Sequence, residues 1–369
     1  MPSIADPRRP AWVAVDLRAV LHNVAELRRV VAPAAVWVVV KADGYGHGAV
    51  EVARAALDAG AQGLCVALVS EARQLRDAGI DAPVLLLSEP PAGDLGEAIA
   101  ARCELTMYRR DTLEAIAAAG GAAVHVKVDT GMHRVGAAVA DVADLVGLAR
   151  SLPGVSLVGV WTHFAVADVA GDGRTADQIE IFRRATATLP AHVRRHLANS
   201  AGALAHPGAR ADFVRCGLAA YGLWPSPSVA ARSDATLRPA LELKARVSFV
   251  RRYGAGTRVS YGLARPLPAD GYVATIPIGY ADGVPRRLFD VGGEVLVRGR
   301  RRAIAGVVTM DQMLIDCGAD AVTTGEEVVL IGRQGAEEIT VTEWAERLGT
   351  IAYEITCSLS ARVPRRYQR

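Results

Sequence analysis

The 369 residues are 51% hydrophobic and 22% charged, which is typical of a globular protein with two domains, or one large barrel and an appendage. The net charge is only +3, and no block of basic residues alternates with aromatic residues, so we expect no nucleic acid as a partner. The first residues lack the apolar core of a signal peptide, and no apolar run approaches transmembrane length. We therefore expect a cytoplasmic protein with no membrane partner.

The number and spacing of the cysteines argue against disulfide bonds and against a zinc site. They number five, lie far apart and form no CxxC pair. An odd number of scattered cysteines predicts neither a disulfide framework nor a zinc site, and we expect no metal. The positions are Cys65, Cys103, Cys216, Cys317 and Cys357.

Short apolar segments alternate with alanine-rich helical segments through the first 220 residues. Several helical segments, such as 49–60, 70–79 and 111–120, end on glycine, as helices often do. The predicted strands are VWVVV (36–40), LCVAL (64–68), VLLLS (84–88), ELTMY (104–108), VHVKV (124–128), LVGVW (157–161), RHLAN (195–199) and DFVRC (212–216). This alternation predicts a (β/α)8 TIM-like barrel, with a doubly wound open sheet as the alternative.

The pattern changes after about residue 235, where strand-like segments with glycine-rich turns predominate. Segments 241–253, 271–283, 293–308 and 326–335 are strand-like, and only VTEWAERLG (341–349) is predicted to be a helix. We therefore predict a barrel domain over 1–235 and a mostly β C-terminal domain over 236–369. A further strand over 12–17 is expected to precede the barrel.

Lysine is rare in this chain. Among 42 lysine and arginine residues, only Lys41, Lys127 and Lys244 are lysine. A lysine can lose its proton and form a Schiff base, whereas a guanidinium stays charged. Lys41 directly follows VWVVV, an unbroken apolar run that suits a strand buried on both faces. We infer chemistry at Lys41, with a lysine that merely extends into water as the alternative.

Polar residues lie at or just after the carboxyl ends of five predicted barrel strands. Since the active site of such a barrel lies at the carboxyl ends of its strands, we expect these residues to converge. They are Lys41 and Tyr45, Lys127 and Arg134, His163 and Asp168, Asn199 and Ser200, and Arg215, Gly217 and Leu218. The last two groups follow strands seven and eight, where such barrels often bind phosphate, although ordinary loop turns are the alternative. A strand-end lysine together with a phosphate site points to pyridoxal 5′-phosphate (PLP).

An ordered series of motifs runs through the chain: VVVKADGYGHG, VKVDTGMHRVG, THFAVAD, NSAG, VRCGLAAYG, RVSYG, IPIGYADG, MDQ and AYE-x-x-C. With these motifs, the chain from WVAVDLRAVLHN to RVPRRY closely resembles the alanine racemase family. The resemblance implies a PLP-binding barrel with a β domain, assembled as a homodimer with shared active sites. It also implies interconversion of L- and D-alanine, which supplies D-alanine for peptidoglycan.

The resemblance assigns roles to individual residues. Lys41 is expected to bind PLP and to act as one acid/base, with Tyr261 as the other on the opposite face of the cofactor. His163 and Arg215 are expected to assist Tyr261, and Arg215 to keep the pyridine nitrogen unprotonated. The remaining expected cofactor contacts are Tyr45, Arg134, Asn199, Ser200, Gly217, Leu218 and Tyr353. The expected substrate contacts are Arg134, Met310 and Asp311; the expected entryway residues are Asp168, Tyr280, Arg286 and Ile351.

Lys127 corresponds to a lysine that family members often carry as a carbamate, which would hold Arg134 in place. The chain also departs from the family pattern at three positions, Val307, His133 and Cys216, where relatives often have arginine, glycine and proline. These departures affect what we expect for substrate entry, the rate of turnover and the range of substrates. A racemase acting on serine or on a broader range of amino acids is therefore the alternative. Tyr261 and Met310 argue against a PLP-binding protein without turnover. A decarboxylase of the same fold is disfavoured because its β domain should present a catalytic cysteine and an acidic partner, not SYG.

Overall fold

The computed structural model describes residues 8–369. Within that range, the chain forms two compact units. One contains Leu17–Pro239, and the other combines the residues up to Asp16 with Ala240–Arg369. That the chain folds as separate domains over 1–235 and 236–369 stays a prediction.

The unit Leu17–Pro239 contains a sheet of eight strands, all parallel, in the order β8-β7-β6-β5-β4-β3-β2-β9. The strands are β2 (Ala35–Val39), β3 (Gly63–Val66), β4 (Val84–Leu86), β5 (Cys103–Met107), β6 (Ala123–Lys127), β7 (Ser156–Trp161), β8 (Arg194–His196) and β9 (Phe213–Cys216). Two backbone bonds nearly close the sheet, from Asp212 N–H to Arg195 O (2.9 Å) and from Arg215 N–H to Ala198 O (2.9 Å). The predicted (β/α)8 barrel is confirmed.

Helical segments connect these strands, and the second of them is a left-handed turn rather than a regular α-helix. They are α1 (Leu17–Val31), α2 (Lys41–Tyr45), α3 (Ala49–Asp58), α4 (Val69–Asp77), α5 (Leu95–Ala100), α6 (Arg110–Ala118), α7 (Val142–Ser151), α8 (Arg174–Ala185), α9 (Ser200–Ala205) and α10 (Pro227–Ala230). The strand residues of β3 and β4 are all buried, which explains why the sequence shows unbroken apolar runs there rather than alternation.

The other unit is mostly β, as predicted, and contains two sheets. The larger has the order β14-β13-β16-β10-β1-β18 with β17 paired to β16, and the smaller has the order β11-β12-β15. The strands are β1 (Ala11–Asp16), β10 (Leu241–Arg246), β11 (Phe249–Tyr253), β12 (Gly271–Ile276), β13 (Glu294–Val297), β14 (Arg300–Ala303), β15 (Met313–Gly318), β16 (Glu327–Gln334), β17 (Glu337–Ile339) and β18 (Arg365–Gln368).

The strand expected over 12–17 forms as β1, but its partners lie in the C-terminal part of the chain. It pairs antiparallel with β10 and parallel with β18, so the residues up to Asp16 join the β unit. The prediction of a single helix after residue 235 was wrong, since α12 (Ala352–Cys357) follows α11 (Val341–Leu348). No helix in the described part of the chain is long and apolar enough to cross a membrane.

Candidate active site

Lys41 lies at the carboxyl end of β2 and begins an unusual turn. The four residues that follow it, from Ala42 to Tyr45, have φ between 52° and 62°, in the left-handed region. Such a conformation costs about 1–2 kcal/mol for each residue with a side chain. Because backbone strain of this kind persists only where the surroundings enforce it, the position of Lys41 is specified by its neighbours.

Two carboxylates, those of Glu71 and Asp43, hold this left-handed turn. Glu71 accepts hydrogen bonds from the N–H groups of Ala42 (2.7 Å) and Ala67 (2.8 Å) through different oxygens. Asp43 accepts one from the N–H of Ala49 (2.9 Å) at the start of α3. Carboxylate bonds to backbone N–H groups are charge-assisted and stronger than neutral ones. The turn after Lys41 is therefore anchored to both α3 and α4.

Residues predicted to bind phosphate meet beyond β8 and β9. The hydroxyl oxygen of Ser200 accepts a hydrogen bond from the N–H of Gly217 at 3.0 Å. A Cβ atom on Gly217 would lie 2.5 Å from the phenolic oxygen of Tyr45, so a glycine is needed for this contact. The ring of Tyr45 stacks on that of Tyr221 at 5.1 Å. In the described part of the chain, the N–H groups of Ser200 and Leu218 have no acceptor, so this corner offers donors to an anion.

Arg215, on β9, is buried and makes contacts with both terminal nitrogens of its guanidinium group. One nitrogen donates to His196 Nδ1 (2.8 Å), and the other donates to the carbonyl oxygens of Thr162 (2.8 Å) and Leu197 (3.0 Å). The second nitrogen also lies 3.4 Å from His163 Nδ1. Burial lowers the pKa of Arg215 to about 10, so it remains a cation at neutral pH.

Other cations surround Arg215. The amine of Lys127 lies 4.5 Å from the ring centroid of Trp161, and burial followed by the charge of Arg134 lowers the pKa of Lys127 to about 8. Burial, and then the charge of Arg215, hold the pKa of His163 well below its usual value, so its imidazole is neutral. The charge of Lys41 also lowers the pKa values of both Lys127 and His163.

The negative charge of Asp129 acts against these cations, because it raises the pKa of Lys127 whereas they lower it. Its Oδ1 already accepts hydrogen bonds from the N–H groups of Gly131, Met132 and His133, each at 3.0 Å. Burial acts to raise the pKa of Asp129, but these hydrogen bonds and His133 outweigh it and the pKa is lowered. Asp129, which is already hydrogen-bonded, carries one negative charge and cannot neutralise four cationic side chains. The barrel end is therefore suited to an anionic ligand. The four cations are Lys41, Lys127, Arg134 and Arg215.

Tyr261 belongs to the β unit, where its side chain is 75% exposed. It begins a short 3-10 turn, Tyr261–Leu263, and follows Ser260, whose φ is 66°. The Ser260 hydroxyl donates to the carbonyl oxygen of Val307 at 2.7 Å, and Arg258 donates to the carbonyl oxygen of Leu263 at 2.9 Å. The phenol is therefore exposed on a loop whose backbone is held at both ends.

Met310 and Asp311 occupy another exposed loop of the β unit. The carbonyl oxygen of Met310 accepts from the N–H of Ala281 (3.1 Å), while its own N–H has no acceptor in the described part of the chain. Asp311 accepts a hydrogen bond from Arg362 at 2.6 Å, which occupies its carboxylate. Met310 thus offers an unoccupied N–H donor, whereas the side chain of Asp311 is already paired with Arg362.

The remaining predicted residues differ in their surroundings. Asn199 accepts from the N–H of Gly202 at 2.9 Å and so caps α9. The carbonyl oxygen of Asp168 accepts from the hydroxyls of Ser226 (2.7 Å) and Ser228 (2.9 Å), and its side chain is exposed. In the β unit, Tyr280, Arg286 and Ile351 are exposed and Tyr353 is half-buried.

Comparison with known proteins places this chain in a family. Residues 15–225 match the model of the alanine racemase N-terminal domain, and residues 240–367 match that of the alanine racemase C-terminal domain. This chain belongs to the alanine racemase family. The alanine racemase of Symbiobacterium thermophilum is 46% identical over 372 residues, which are 98% of each chain. The resemblance inferred from the motifs is confirmed.

Solved structures show the same fold. The alanine racemase from E. faecalis is 39% identical, with a TM-score of 0.93 over 99% of this chain and 100% of that one. The histidine racemase from Leuconostoc mesenteroides subsp. sake is 30% identical, with a TM-score of 0.92 over 99% and 100%. Because proteins named for different substrates match equally well in fold, side chains rather than the fold must select the substrate.

The three departures from the family pattern have distinct surroundings. Val307 contributes its carbonyl oxygen to the bond with Ser260. His133 has φ of 54°, a conformation that glycine adopts more easily, and its Nδ1 lies 3.2 Å from Asp129 Oδ2. Cys216 is buried on β9, and burial raises the pKa of its thiol to about 12, so it is not a nucleophile.

Sequence reasoning missed residues that support the site from behind. Glu71 holds the turn after Lys41, and Glu104, His125 and His196 form a buried chain that ends on Arg215. A signal was available, because Glu104 and His125 are polar residues inside strands that consist mostly of apolar residues. A polar side chain buried in a barrel strand needs a partner, and neighbouring strands supply it.

Proposed function

We propose that this protein is a PLP-dependent alanine racemase of the cytoplasm, which interconverts L- and D-alanine and supplies D-alanine for peptidoglycan. The observation that carries the proposal is the position of Lys41, fixed at a barrel strand end beside an excess of positive charge. Membership of the alanine racemase family supports the same activity.

The barrel end fits PLP by the chemistry of its donors. The amine of Lys41 would hold the aldehyde carbon of the cofactor. The hydroxyl of Ser200, the N–H groups near Gly217 and Leu218, and the phenol of Tyr45 would hold its phosphate. When bound, PLP supplies an electron sink that makes the Cα proton of an amino acid removable.

Two bases are needed because inversion removes a proton from one face of Cα and returns a proton to the other. Lys41 and Tyr261 are the proposed pair, with Lys41 serving D-alanine and Tyr261 serving L-alanine. A phenol with its ordinary pKa of about 10 is mostly protonated at neutral pH and needs stabilisation of its anion to act as a base. That stabilisation must come from a hydrogen-bond donor.

His163 is suited to donate that hydrogen bond. A guanidinium has only donors, so Nδ1 of His163 accepts from Arg215 and lacks a proton. The low pKa of His163 means that the ring carries one proton, which then lies on Nε2. We propose that Nε2–H of His163 donates to the oxygen of Tyr261 and stabilises its anion.

Arg134 and the unoccupied N–H of Met310 are the proposed contacts of the substrate carboxylate. Asp311 would contribute through its backbone, because its carboxylate is paired with Arg362.

Lys127 is proposed to carry a carbamate. A neutral amine adds to CO2 and loses one proton, and the low pKa of Lys127 makes the neutral amine available near pH 8. The resulting negative charge would hold Arg134 and offset the excess positive charge.

We propose a homodimer in which the barrel of one chain and the β unit of the other form each site. Of ten exposed large apolar side chains among the described residues, seven belong to the β unit. They include the predicted site residues Tyr261, Tyr280, Met310 and Ile351. Exposed apolar residues concentrated in this way are typical of an interaction surface. Asp168, Tyr280, Arg286 and Ile351 would line the entry to the shared site.

A racemase with broader specificity is the second candidate. The match to a histidine racemase favours it, because that protein has the same fold as this chain. Val307, which lacks a cationic side chain at the expected entryway, also leaves room for a different substrate. Serine is the substrate that we would test first on this hypothesis.

A racemisation assay decides between the two candidates. The purified protein, reconstituted with PLP, is incubated with the L-enantiomers of alanine, serine and histidine, and D-product is measured by chiral chromatography. We expect kcat/KM for alanine to exceed the other values by about tenfold or more, as differential contacts in one pocket permit. Equal values for alanine and serine would establish the second candidate, and no turnover of any amino acid would refute both.

A further inference from the structure

A chain of hydrogen bonds crosses the inside of the barrel and ends on Arg215. Glu104 on β5 accepts from His125 Nε2 on β6 at 2.6 Å. His125 Nδ1 lies 2.9 Å from His196 Nε2 on β8, and His196 Nδ1 lies 2.8 Å from a terminal nitrogen of Arg215 on β9. Arg194 also donates to the same oxygen of Glu104 at 2.7 Å. Four barrel strands thus contribute to one connected path.

Proton counting gives this path a single direction. Arg215 can only donate, so Nδ1 of His196 is an acceptor and the ring proton of His196 lies on Nε2. That Nε2–H then donates to Nδ1 of His125, which must also be an acceptor. The proton of His125 therefore lies on Nε2 and is donated to Glu104. Each histidine is neutral and has one tautomer, and the negative charge of Glu104 ends the path.

The alternative protonation state conflicts with these distances. A doubly protonated His125 would place Nδ1–H against Nε2–H of His196 at a separation of 2.9 Å. The pKa directions agree with neutral rings: burial lowers the pKa of His125, and burial followed by the charge of Arg215 lowers that of His196 far below its usual value. For Glu104, burial acts to raise the pKa, but His125 and Arg194 outweigh it, so the carboxylate is charged.

The rings are also fixed in orientation. His196 lies between Phe213 (4.1 Å between centroids, 21°) and Trp161 (5.6 Å, 11°), which prevents it from rotating freely. A Cβ atom on Gly159 would lie 2.2 Å from His125 Nδ1, so the strand beside His125 leaves space for its ring by having glycine there. Gly159 in β7 therefore makes room for the hydrogen-bonded path at His125.

The hydrogen bonds of Arg215 leave few of its N–H donors available to a ligand. Its terminal nitrogens donate to the Nδ1 atoms of His196 and His163 and to three carbonyl oxygens, those of His196, Thr162 and Leu197, so one N–H is shared between two acceptors. Its Nε–H has no acceptor in the described part of the chain. A single donor thus remains for a ligand at the barrel end.

We propose that Glu104 and His125 are positioning residues that act through His196 to hold Arg215 so that only its Nε–H is presented to the cofactor. The inference deepens the proposed PLP-dependent function and rests on it for the identity of that ligand. Loss of the acceptor at position 104 would allow His125 to place its proton on Nδ1. His196 would then lose its acceptor, and its own tautomer and the bond to Arg215 would no longer be determined.

Two substitutions at Glu104 separate the hydrogen bond from the charge. Glu104→Gln keeps a carbonyl oxygen that can accept from both His125 and Arg194, whereas Glu104→Leu removes the acceptor. The tautomers of His125 and His196 are measured by nitrogen-15 NMR in the cofactor-free protein and in the loaded enzyme. In parallel, kcat and KM for alanine are measured for the loaded enzyme.

We expect the Nε2–H tautomer for both histidines in the wild type and in Glu104→Gln, and a mixture at His125 in Glu104→Leu. We also expect kcat of Glu104→Leu to fall about tenfold, as for loss of a charge-assisted bond, with KM nearly unchanged. An Nδ1–H tautomer at either ring in the wild type, or equal kcat for the two variants, would overturn the proposal. The spectrum of the cofactor-free protein tests the chain even if the proposed function fails, because it does not depend on turnover.

A second pair of variants applies if Glu104→Leu does not fold. His125→Asn places an amide oxygen near the position of Nδ1, where it can accept from His196, whereas His125→Leu cannot. We expect His125→Asn to retain the Nε2–H tautomer of His196 and a kcat within about threefold of the wild type, and His125→Leu to lose both. Equal loss in the two variants would show that His125 only fills space.

Discussion

The hydroxyl of Ser260 donates a hydrogen bond to the carbonyl oxygen of Val307 at 2.7 Å. Ser260 has φ of 66° and directly precedes Tyr261, so this bond stabilises an uncommon backbone conformation beside the proposed base. The bond uses the backbone of Val307, a position where the motif resemblance implies that relatives often carry arginine. Because the bond does not involve the side chain at this position, valine leaves the support of Tyr261 unaltered.

Removal of this bond should impair Tyr261 without unfolding the protein. We expect Ser260→Ala to lower kcat about three- to tenfold, since one neutral hydrogen bond contributes about 1 kcal/mol. Ser248→Ala is the matched control, because Ser248 donates a similar bond to the carbonyl oxygen of Thr275 at 3.0 Å elsewhere in the same unit. Steady-state kinetics and thermal unfolding check both variants. A similar loss of kcat in the control would show that the effect is not local to Tyr261.

Lys41 should be the residue that binds the cofactor covalently. Borohydride reduces a Schiff base to a stable secondary amine, so the reduced, PLP-loaded protein should yield one modified peptide, which contains Lys41. Lys127 and Lys244 serve as internal controls, since they are the only other lysines. Lys244 is engaged with Glu242 at 2.8 Å. Peptide mass spectrometry measures the site, and cofactor found on either control lysine would refute the assignment.

The barrel was predictable because most of its strands are short apolar runs and five of them have polar residues at their carboxyl ends. The observed strands begin within about one residue of the predicted ones, as for β2 (Ala35–Val39) against 36–40. They tend to end earlier, as β8 does at His196 rather than at residue 199. Periodicity locates a strand but not the point at which its hydrogen bonds stop.

Partners distant in sequence were not predictable in the same way. The apolar run of β1 indicates a strand, but nothing in it identifies β10, more than 200 residues later, as the neighbour. The six residues of α12 are too few to show a helical period. Likewise, the motifs indicated Arg215 as a site residue, but the contact of His125 with His196 depends on the order of strands around the barrel.

Substitution of Tyr261 should affect the two enantiomers unequally. Tyr261→Phe removes the phenolic oxygen but keeps the ring, so proton removal from L-alanine should slow about a hundredfold or more, as for loss of a general base. Exchange of the Cα hydrogen of D-alanine with solvent should slow much less, because Lys41 remains. Mass spectrometry of each enantiomer in deuterated water measures both rates. Equal slowing would contradict the assignment of separate bases.

Carbamate formation at Lys127 should depend on pH in a defined direction. Burial lowers the pKa of Lys127 to about 8, so the neutral amine that reacts with CO2 becomes the main form as the pH rises through 8. Because the reaction also releases a proton, the carbamylated fraction at constant CO2 pressure should increase from pH 6 to pH 9. Carbon-13 NMR with labelled CO2 measures it, with Lys127→Arg as the control that cannot react. A signal that is retained in Lys127→Arg would place the carbamate elsewhere.

Complementation between inactive variants should establish whether each site is shared. If Lys41 and Tyr261 of one site come from different chains, a mixed dimer of Lys41→Ala and Tyr261→Phe has one site with both lesions and one with neither. Random exchange makes about half of the dimers mixed, so about a quarter of wild-type activity should return. As a control, Lys41→Ala is mixed with Arg134→Ala; both residues lie in the barrel unit, so every site keeps a lesion and no activity should return. Subunit exchange is verified by native mass spectrometry. If exchange occurs and the first mixture stays inactive, each chain forms its own site and the shared-site dimer is refuted.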